Sequence, residues 1–394
     1  GGYLPKERRA IERGLREGKI VGVATTNALE LGIDIGNLEC AVLAGYPGTI
    51  ASTWQQAGRA GRRSGGSVSI LVGGAGPLDQ FIVNNPDYFF EEGAEYGLVN
   101  PENPYIFGEH IKCAAYELPF KDESDGVTLF AGQDVTPVME RLKDQGILYR
   151  SQNRWNWSAD SFPAAGISLR SASAENFVVI DAGGGRREVI GEVDWASAPL
   201  LIHDEAIYLH GGQQYHVMHL DYPAKKAYVK KVNYYTDANL AVGIKVTTVD
   251  KSDPEARLNP RFGELSVTAL ATIFKKIKIY THENVGSGEI ALPEMNMHTQ
   301  GTWFSFPEEI TESLDPRLVG GALSGLANVL LNIAPLFLMS DKRDLGVSVE
   351  VRSPLDGLPT VYLYDSYPGG VGLAERIHRL LPDMLNASAE LISS

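Results

Sequence analysis

Apolar residues recur at helical spacing near the amino end. Ile11 and Leu15 lie four apart, charges fill the other faces and Gly18 follows, so a helix is predicted over Pro5 to Glu17. Val21 to Thr26 then opens as a short β-branched strand, and Ala41 to Ala44 reads as another. Strand and helix patterns alternate as far as Leu71 and Val72, which predicts part of a parallel α/β sheet. Asn84-Asn-Pro-Asp and Asn100-Pro-Glu-Asn-Pro punctuate an aperiodic linker. Beyond it the pattern is helical from Tyr105 to Leu118 and again from Val135 to Gln145, where Val138 and Leu142 share a face and Gly146 ends it. Ile147 to Trp157 alternates like a hairpin turning at Gln152 and Asn153. Helix, helix, β-hairpin is the order of a winged helix.

From Gly166 to about Glu289 the texture becomes β. Strands are predicted over Phe177 to Asp181, Val189 to Val193, Ala206 to Leu209, Gln214 to Leu220, Ala227 to Tyr235, Val242 to Val249 and Leu265 to Tyr280, with Gly183-Gly-Gly185 as a hairpin turn. This suggests a small barrel or curled sheet. The run Leu318 to Met339 carries no charge and is long enough to span a membrane, yet Ser324, Asn328, Asn332 and Pro335 interrupt it. A buried helix kinked near Pro335 is the expectation. Thr360 to Tyr364 is a strand, and Asp365 to Arg376 leads into another helix. The chain therefore reads as an α/β and α+β multidomain protein. A partial α/β lobe is expected over 1–90, a linker over 91–104, a winged helix over 105–162, a β-rich, barrel-like domain over 163–305 and a C-terminal α/β accessory domain over 306–394.

At 394 residues, 44% hydrophobic and 21% charged, the chain can fill several ordinary globular cores. Its net charge of -14 runs against the basic balance of most nucleic-acid binders, so any such contact must use local basic strips. Arg141, Lys143, Arg150 and Arg154 of the winged helix would touch a phosphate backbone, while Trp155 or Trp157 could stack on a base or form the core of the wing. Lys225, Lys226, Lys230 and Lys231, interleaved with Tyr228, Tyr234 and Tyr235, form a further strip, as do Lys275, Lys276 and Lys278; strand lysines also serve as edge protection. The two cysteines, Cys40 and Cys113, read as reduced core residues, which with the lack of a visible signal peptide fits a cytoplasmic protein. The chain opens on Gly-Gly in place of methionine and looks like a piece of something longer.

The sharpest chemistry is in Gln55-Gln-Ala-Gly-Arg-Ala-Gly-Arg-Arg63. Arg59 and Arg62 are three apart, so on a helix their guanidiniums leave one face and converge on one anion. Such forks stabilise the charge of a transferring phosphoryl group, although a basic run is also a common solvated face. No Gly-x-x-x-x-Gly-Lys-Ser/Thr loop occurs. Leu200-Leu-Ile-His-Asp-Glu-Ala-Ile207 mimics a magnesium-holding Asp-Glu-Ala box, but it follows the arginines and is read as a strand edge. His210, His216 and His219 do not share a strand face and fall short of a zinc site.

Asn27-Ala-Leu-Glu-Leu-Gly-Ile-Asp-Ile35, Gly45-Tyr-Pro-Gly-Thr49 and the arginine run together resemble motifs V and VI of superfamily-two helicases, and most nearly the YprA or mitomycin-repair-factor-A type of DEAD/DEAH-box DNA helicase, relatives of the RecQ-like enzymes. The resemblance makes 1–90 part of a second RecA-like lobe. It implies that Thr25 and Thr26 face a nucleic-acid phosphate, that Gly32 and Asp34 face nucleotide ribose or couple the two sites, that Gln55 senses nucleotide, and that Arg59 and Arg62 are arginine fingers. ATP and magnesium are implied for the full-length protein, held with a first RecA-like lobe that would be one partner; single-stranded or forked DNA would be the other, with no membrane. It further implies 3′ to 5′ translocation and a role in DNA repair. By itself this stretch is expected to hydrolyse no ATP. Zinc is expected only beyond Ser394, because the segment from Asp365 resembles an accessory domain that a cysteine-rich cluster follows. An RNA-remodelling helicase and a non-catalytic scaffold are the rival readings.

Overall fold

The computed structural model describes residues 5–30, 38–61, 66–95, 97–100, 103–123, 126–130, 132–167, 176–183, 187–232, 235–278, 281–312 and 315–393. The chain forms two compact units. One comprises Gly1–Leu98, Asn176–Ser366 and Gly372–Ser394; the other comprises Val99–Glu175 and Tyr367–Val371.

The first unit opens with α1 (Pro5–Arg16), where Arg8 and Glu12 pair one turn apart at 2.8 Å and Leu15 is buried. The strand expected from Val21 does not form, and Val21 is 99% exposed. Two parallel strands follow, β1 (Cys40–Ala44) and β2 (Val68–Val72), paired from Cys40 opposite Val68 to Ala44 opposite Val72. Between them lies α2 (Ile50–Ala57), and after them come α3 (Pro77–Asn84) and α4 (Pro86–Glu91), each with proline in its first turn, where a missing N–H costs nothing. Asp79 of α3 ties the two strand-exit loops together, accepting from Tyr46 N at 3.2 Å and Gly74 N at 2.6 Å. Gly45 has φ +89° beside that carboxylate, a conformation that favours glycine.

The second unit has the expected winged-helix order. Its elements are α5 (Pro104–Glu117), β3 (Phe120–Lys121), β4 (Leu129–Phe130), β5 (Gln133–Asp134), α6 (Thr136–Asp144), β6 (Leu148–Ser151) and β7 (Arg154–Trp157). Strands β3, β7 and β6 form one sheet over a core of Ile111, Ala115, Val135, Met139, Leu142, Leu148 and Trp155. The hairpin turns at Gln152 and Asn153, both at positive φ (50° and 56°), as a twist-matched two-residue turn requires. Asn103, 2% exposed, caps α5 by accepting from Tyr105 N and Ile106 N, while its amide donates to Pro368 O (2.7 Å) and Gly370 O (3.1 Å).

The β-rich stretch, which belongs to the first unit, is built as two sheets. The five-stranded one uses β8 (Asn176–Asp181), β9 (Glu188–Asp194), β10 (Ile207–His210), β11 (Gln213–Asp221) and β12 (Lys226–Val232), in the order β10-β11-β12-β8-β9. The segment read as a strand edge from Leu200 instead begins in α7 (Ala198–Leu201) and turns through Glu205 at φ 69°, so strand structure starts only at Ile207. Proline in the first turn of α7 favours that helix over a strand.

The seven-stranded sheet contains β13 (Tyr235–Val246), β14 (Lys251–Ser252), β15 (Arg261–Ile277), β16 (Asn284–Glu289) and β17 (Met295–Ser305). After α8 (Glu308–Thr311) and α9 (Pro316–Leu338), β18 (Leu345–Glu350) and β19 (Thr360–Asp365) complete it in the path β13-β15-β17-β19-β18. Main-chain pairing of β17 with β19 thus crosses the boundary expected between 305 and 306, because the last strands of the chain finish a sheet begun before it. Helix α9 is long and apolar enough to cross a membrane by composition. Its stripe Val319, Leu323, Ala327, Leu330, Ala334 and Leu338 is buried, and the helix packs on α10 (Leu373–Ser393), β18 and β19.

Asp365, wholly buried at the end of β19, accepts from Gly372 N (2.9 Å) and Ala374 N (2.7 Å) and so caps α10. Replacing Asp365 by alanine leaves buried N–H groups without acceptors and is expected to cost about 1–3 kcal/mol. Denaturant unfolding of Asp365→Ala beside Asp365→Asn, which keeps one acceptor oxygen, checks this; the asparagine variant should lose less.

Candidate functional site

Helix α2 is eight residues long, too short to persist on its own, so its position is set by what grips it. Ile50 and Thr53 are buried at 1% and 4% exposure. Ser52 and Gln56, one turn apart, both reach the same carboxylate: Ser52 Oγ donates to Glu30 Oε1 at 2.7 Å and Gln56 Nε2 to Glu30 Oε2 at 2.9 Å. Glu30 is 8% exposed and lies in the Asn27-Ala-Leu-Glu segment, so a buried carboxylate joins that segment to the helix that precedes the arginines. No role was expected for Glu30. Its signal was an acidic residue between two leucines.

Gln55 occupies the exposed face left by these contacts. Arg59 follows the helix, with Nε donating to Gln55 O at 3.3 Å. Arg59 itself lies past the end of the helix, and the expected shared face with Arg62 falls outside the described residues. Helix α2 stops at Ala57 with Gly58 as its cap, Gly61 has φ +84°, and Gly61 N donates to Leu38 O at 3.0 Å beside a parallel bridge of Leu38 to Ala60. Backbone at φ +84° cannot continue an α-helix, so helical structure does not extend through Gly61. Arg62, Gly32 and Asp34 lie outside the described residues. Thr25 and Thr26 are exposed in the irregular stretch before the short 3-10 turn Asn27–Leu29.

In the winged helix the structure corrects one expected contact. Trp155 is fully buried, and its indole N–H donates to Asp122 Oδ1 and Thr128 Oγ1, both at 2.9 Å, so it stacks on no base. Arg150 is held by Asp122, its Nε at 3.1 Å from Oδ2, and its guanidinium lies 5.1 Å from the Trp155 ring. Arg150 is therefore tied into the frame that positions the wing. Burial alone would raise the Asp122 pKa, but hydrogen bonds from Arg150, Thr128 and Trp155 outweigh it and hold the carboxyl below its usual range. Trp157 donates to Ala159 O at 2.6 Å and meets Tyr116 edge-on. Arg141 and Arg154 remain exposed.

Lys230 and Lys231 are both exposed on β12, but as neighbours on a strand they face opposite sides. Lys231 Nζ sits 5.9 Å from the Tyr215 ring, and Arg187 sits 5.4 Å from that of Tyr228. Lys276 pairs with Glu205 at 2.7 Å and Lys278 with Glu283 at 2.8 Å, which neutralises much of that strip. His216 also contacts Glu205 at 3.2 Å, whereas His219 faces Asp204 at 3.6 Å.

Three family models match the chain: the helicase conserved C-terminal domain over 1–64, the winged helix domain of ATP-dependent helicase HRQ1 over 99–172, and the MrfA Zn-binding domain over 326–394. The chain is 50% identical along its full length to the ATP-dependent helicase YprA of Bacillus subtilis, covering 52% of that protein. It is 28% identical to ATP-dependent helicase HRQ1 of Saccharomyces cerevisiae, again over all of this chain, and covers 38% of that relative. Among solved structures it is similar to the DUF1998 helicase MrfA bound to DNA, with a TM-score of 0.73, 50% identity and coverage of all of this chain and 52% of that one. MrfA bound to DNA and AMPPNP gives a TM-score of 0.70 at 48% identity. The chain is thus homologous throughout to ATP-dependent DNA helicases, and it spans about half the length of YprA and MrfA.

The model of the MrfA Zn-binding domain matches from residue 326, inside this chain, whereas zinc was expected only beyond Ser394. The donor set here does not fit the metal. Residues 326–394 include no cysteine and a single histidine, His378, and among the described residues no cluster of three or more metal-ligating side chains occurs.

Asp122→Ala should destabilise the winged helix by about 1–3 kcal/mol, because the buried Trp155 N–H loses its charged acceptor. The depressed Asp122 pKa fixes the sign with pH: the stabilisation is present above about pH 4 and is lost as pH falls through the folded-state value. Unfolding followed by tryptophan fluorescence at neutral and acid pH should show the mutant's deficit shrinking on acidification.

Proposed function

We propose that this chain supplies the second RecA-like lobe and the accessory domains of an ATP-dependent DNA helicase, and that its arginines complete an ATPase site whose phosphate cradle and magnesium lie on a first lobe. The Glu30 clamp carries this reading, because it ties the segment resembling motif V to the helix that presents Gln55 and Arg59. With no phosphate loop in its sequence, the chain has no cradle of its own for ATP. In a closed complex Arg59 and Arg62 would meet the γ-phosphate as charge develops on it, and Gln55, Gly32 and Asp34 would register the nucleotide. Thr25 and Thr26 would face the tracked strand. Arg141 and Arg154 of the winged helix and Lys230 of β12 would touch the backbone of single-stranded or forked DNA, contacts that position without reading sequence. Support comes from the DNA-bound and AMPPNP-bound structures of MrfA, to which the whole chain is similar. Translocation from 3′ to 5′, a task in DNA repair and a cytoplasmic location complete the proposal.

In the intact helicase, Arg59→Ala and Arg62→Ala should each lower DNA-stimulated phosphate release, the finger itself by about a thousandfold, while DNA binding persists. Normal turnover in Arg62→Ala would overturn the assignment.

A further inference from the structure

The N-terminus of α2 is closed by a residue from none of the motifs. Glu95, in the stretch after α4, accepts from Ile50 N and, at 2.9 Å, from Ala51 N. Thr49 Oγ1 takes the next donor, Ser52 N, at 3.0 Å. The first three orphan N–H groups of the helix are therefore filled, two of them by a charge that also suits the helix dipole. Helix α4, just before that stretch, grips α2 further along: Trp54 stacks on Phe89 with centroids 5.1 Å apart and meets Phe90 edge-on at 5.9 Å. Tyr88 anchors it in turn, its hydroxyl 3.4 Å from the Met339 sulfur. Tyr46 and Tyr88 have raised pKa values, from burial first and then from the charge of Glu95 beside them.

Building on the arginine assignment above, we infer that Glu95 is a positioning residue for ATP turnover, which holds α2 at the height along its own axis where the arginine loop can reach the γ-phosphate. Glu30 grips one side of α2 and resists rotation; Glu95 grips its end and resists sliding. A shift of this two-turn helix at Ile50 carries Gln55 with it, and Arg59, whose Nε donates to Gln55 O at 3.3 Å, follows. Misplacement of a reacting constellation by about 1 Å costs up to about a hundredfold in rate. Glu95 also stands four residues before Val99, where the winged-helix unit begins, so the grip on α2 lies on the chain leading directly into that unit.

The test compares Glu95→Ala, Glu95→Gln and Arg62→Ala in the intact helicase, measuring phosphate release at saturating DNA, the KM for ATP, DNA affinity and the thermal midpoint. Glu95→Ala should lower kcat by about tenfold with KM and DNA affinity unchanged. Glu95→Gln should recover part of the loss, because its amide oxygen still accepts one N–H. An unchanged kcat in Glu95→Ala, with Arg62→Ala inactive, overturns the inference and leaves the arginine assignment standing. So does a joint fall of kcat, DNA affinity and thermal midpoint, which marks a merely structural residue. Full turnover in Arg62→Ala removes the arginine assignment and this inference with it.

Discussion

A single buried carboxylate, that of Glu30, sets the geometry on which the candidate site depends. An eight-residue helix with two buried side chains has little stability of its own, and Glu30 supplies two hydrogen bonds to one face of it. Charge-assisted bonds of this kind are stronger than neutral ones and are directional, so they fix which way the helix faces as well as whether it forms. With Ile50 and Thr53 turned inward and Ser52 and Gln56 on Glu30, Gln55 is left on the exposed side. Everything proposed for the arginine loop inherits that orientation.

Acidic groups serve the same purpose elsewhere. Glu95 closes α2, Asp365 closes α10, and Asp122 gathers Arg150, Thr128 and Trp155 at the heart of the wing. Part of the net charge of -14 is thus spent inside the fold on helix ends and buried donors. An acidic total therefore says less about the exposed surface than it first suggests, and the exposed Arg141 and Arg154 keep their local character.

Much of the fold was legible because local patterns were strong. Helices α1 and α6 follow apolar spacing and stop just before Gly18 and Gly146, and the Gln152-Asn153 turn was visible between alternating strands. What failed did so where tertiary context overrode local pattern. Val21 to Thr26 has strand composition, yet no strand forms there. A helix was expected to carry Arg59, but it ends at Ala57 with Gly58 as its cap, and Gly61 turns the chain toward Leu38. Trp155 looked like surface chemistry because Asp122, its partner, is 33 positions away, beyond the reach of any periodicity argument. Glu30 was hidden in the same way: its partners lie 22 and 26 residues further on.

The central claim is that Glu30 holds α2 in place, and backbone hydrogen exchange across α2 tests it most directly. In Glu30→Ala, amides from Thr53 to Ala57 should exchange at least about tenfold faster than in the unaltered protein, as expected when a local unit opens more often. The winged-helix amides, from Ile106 to Ala115, should not change. Equal protection of α2 in the two proteins would contradict the account, since the helix would then be held by something other than this carboxylate.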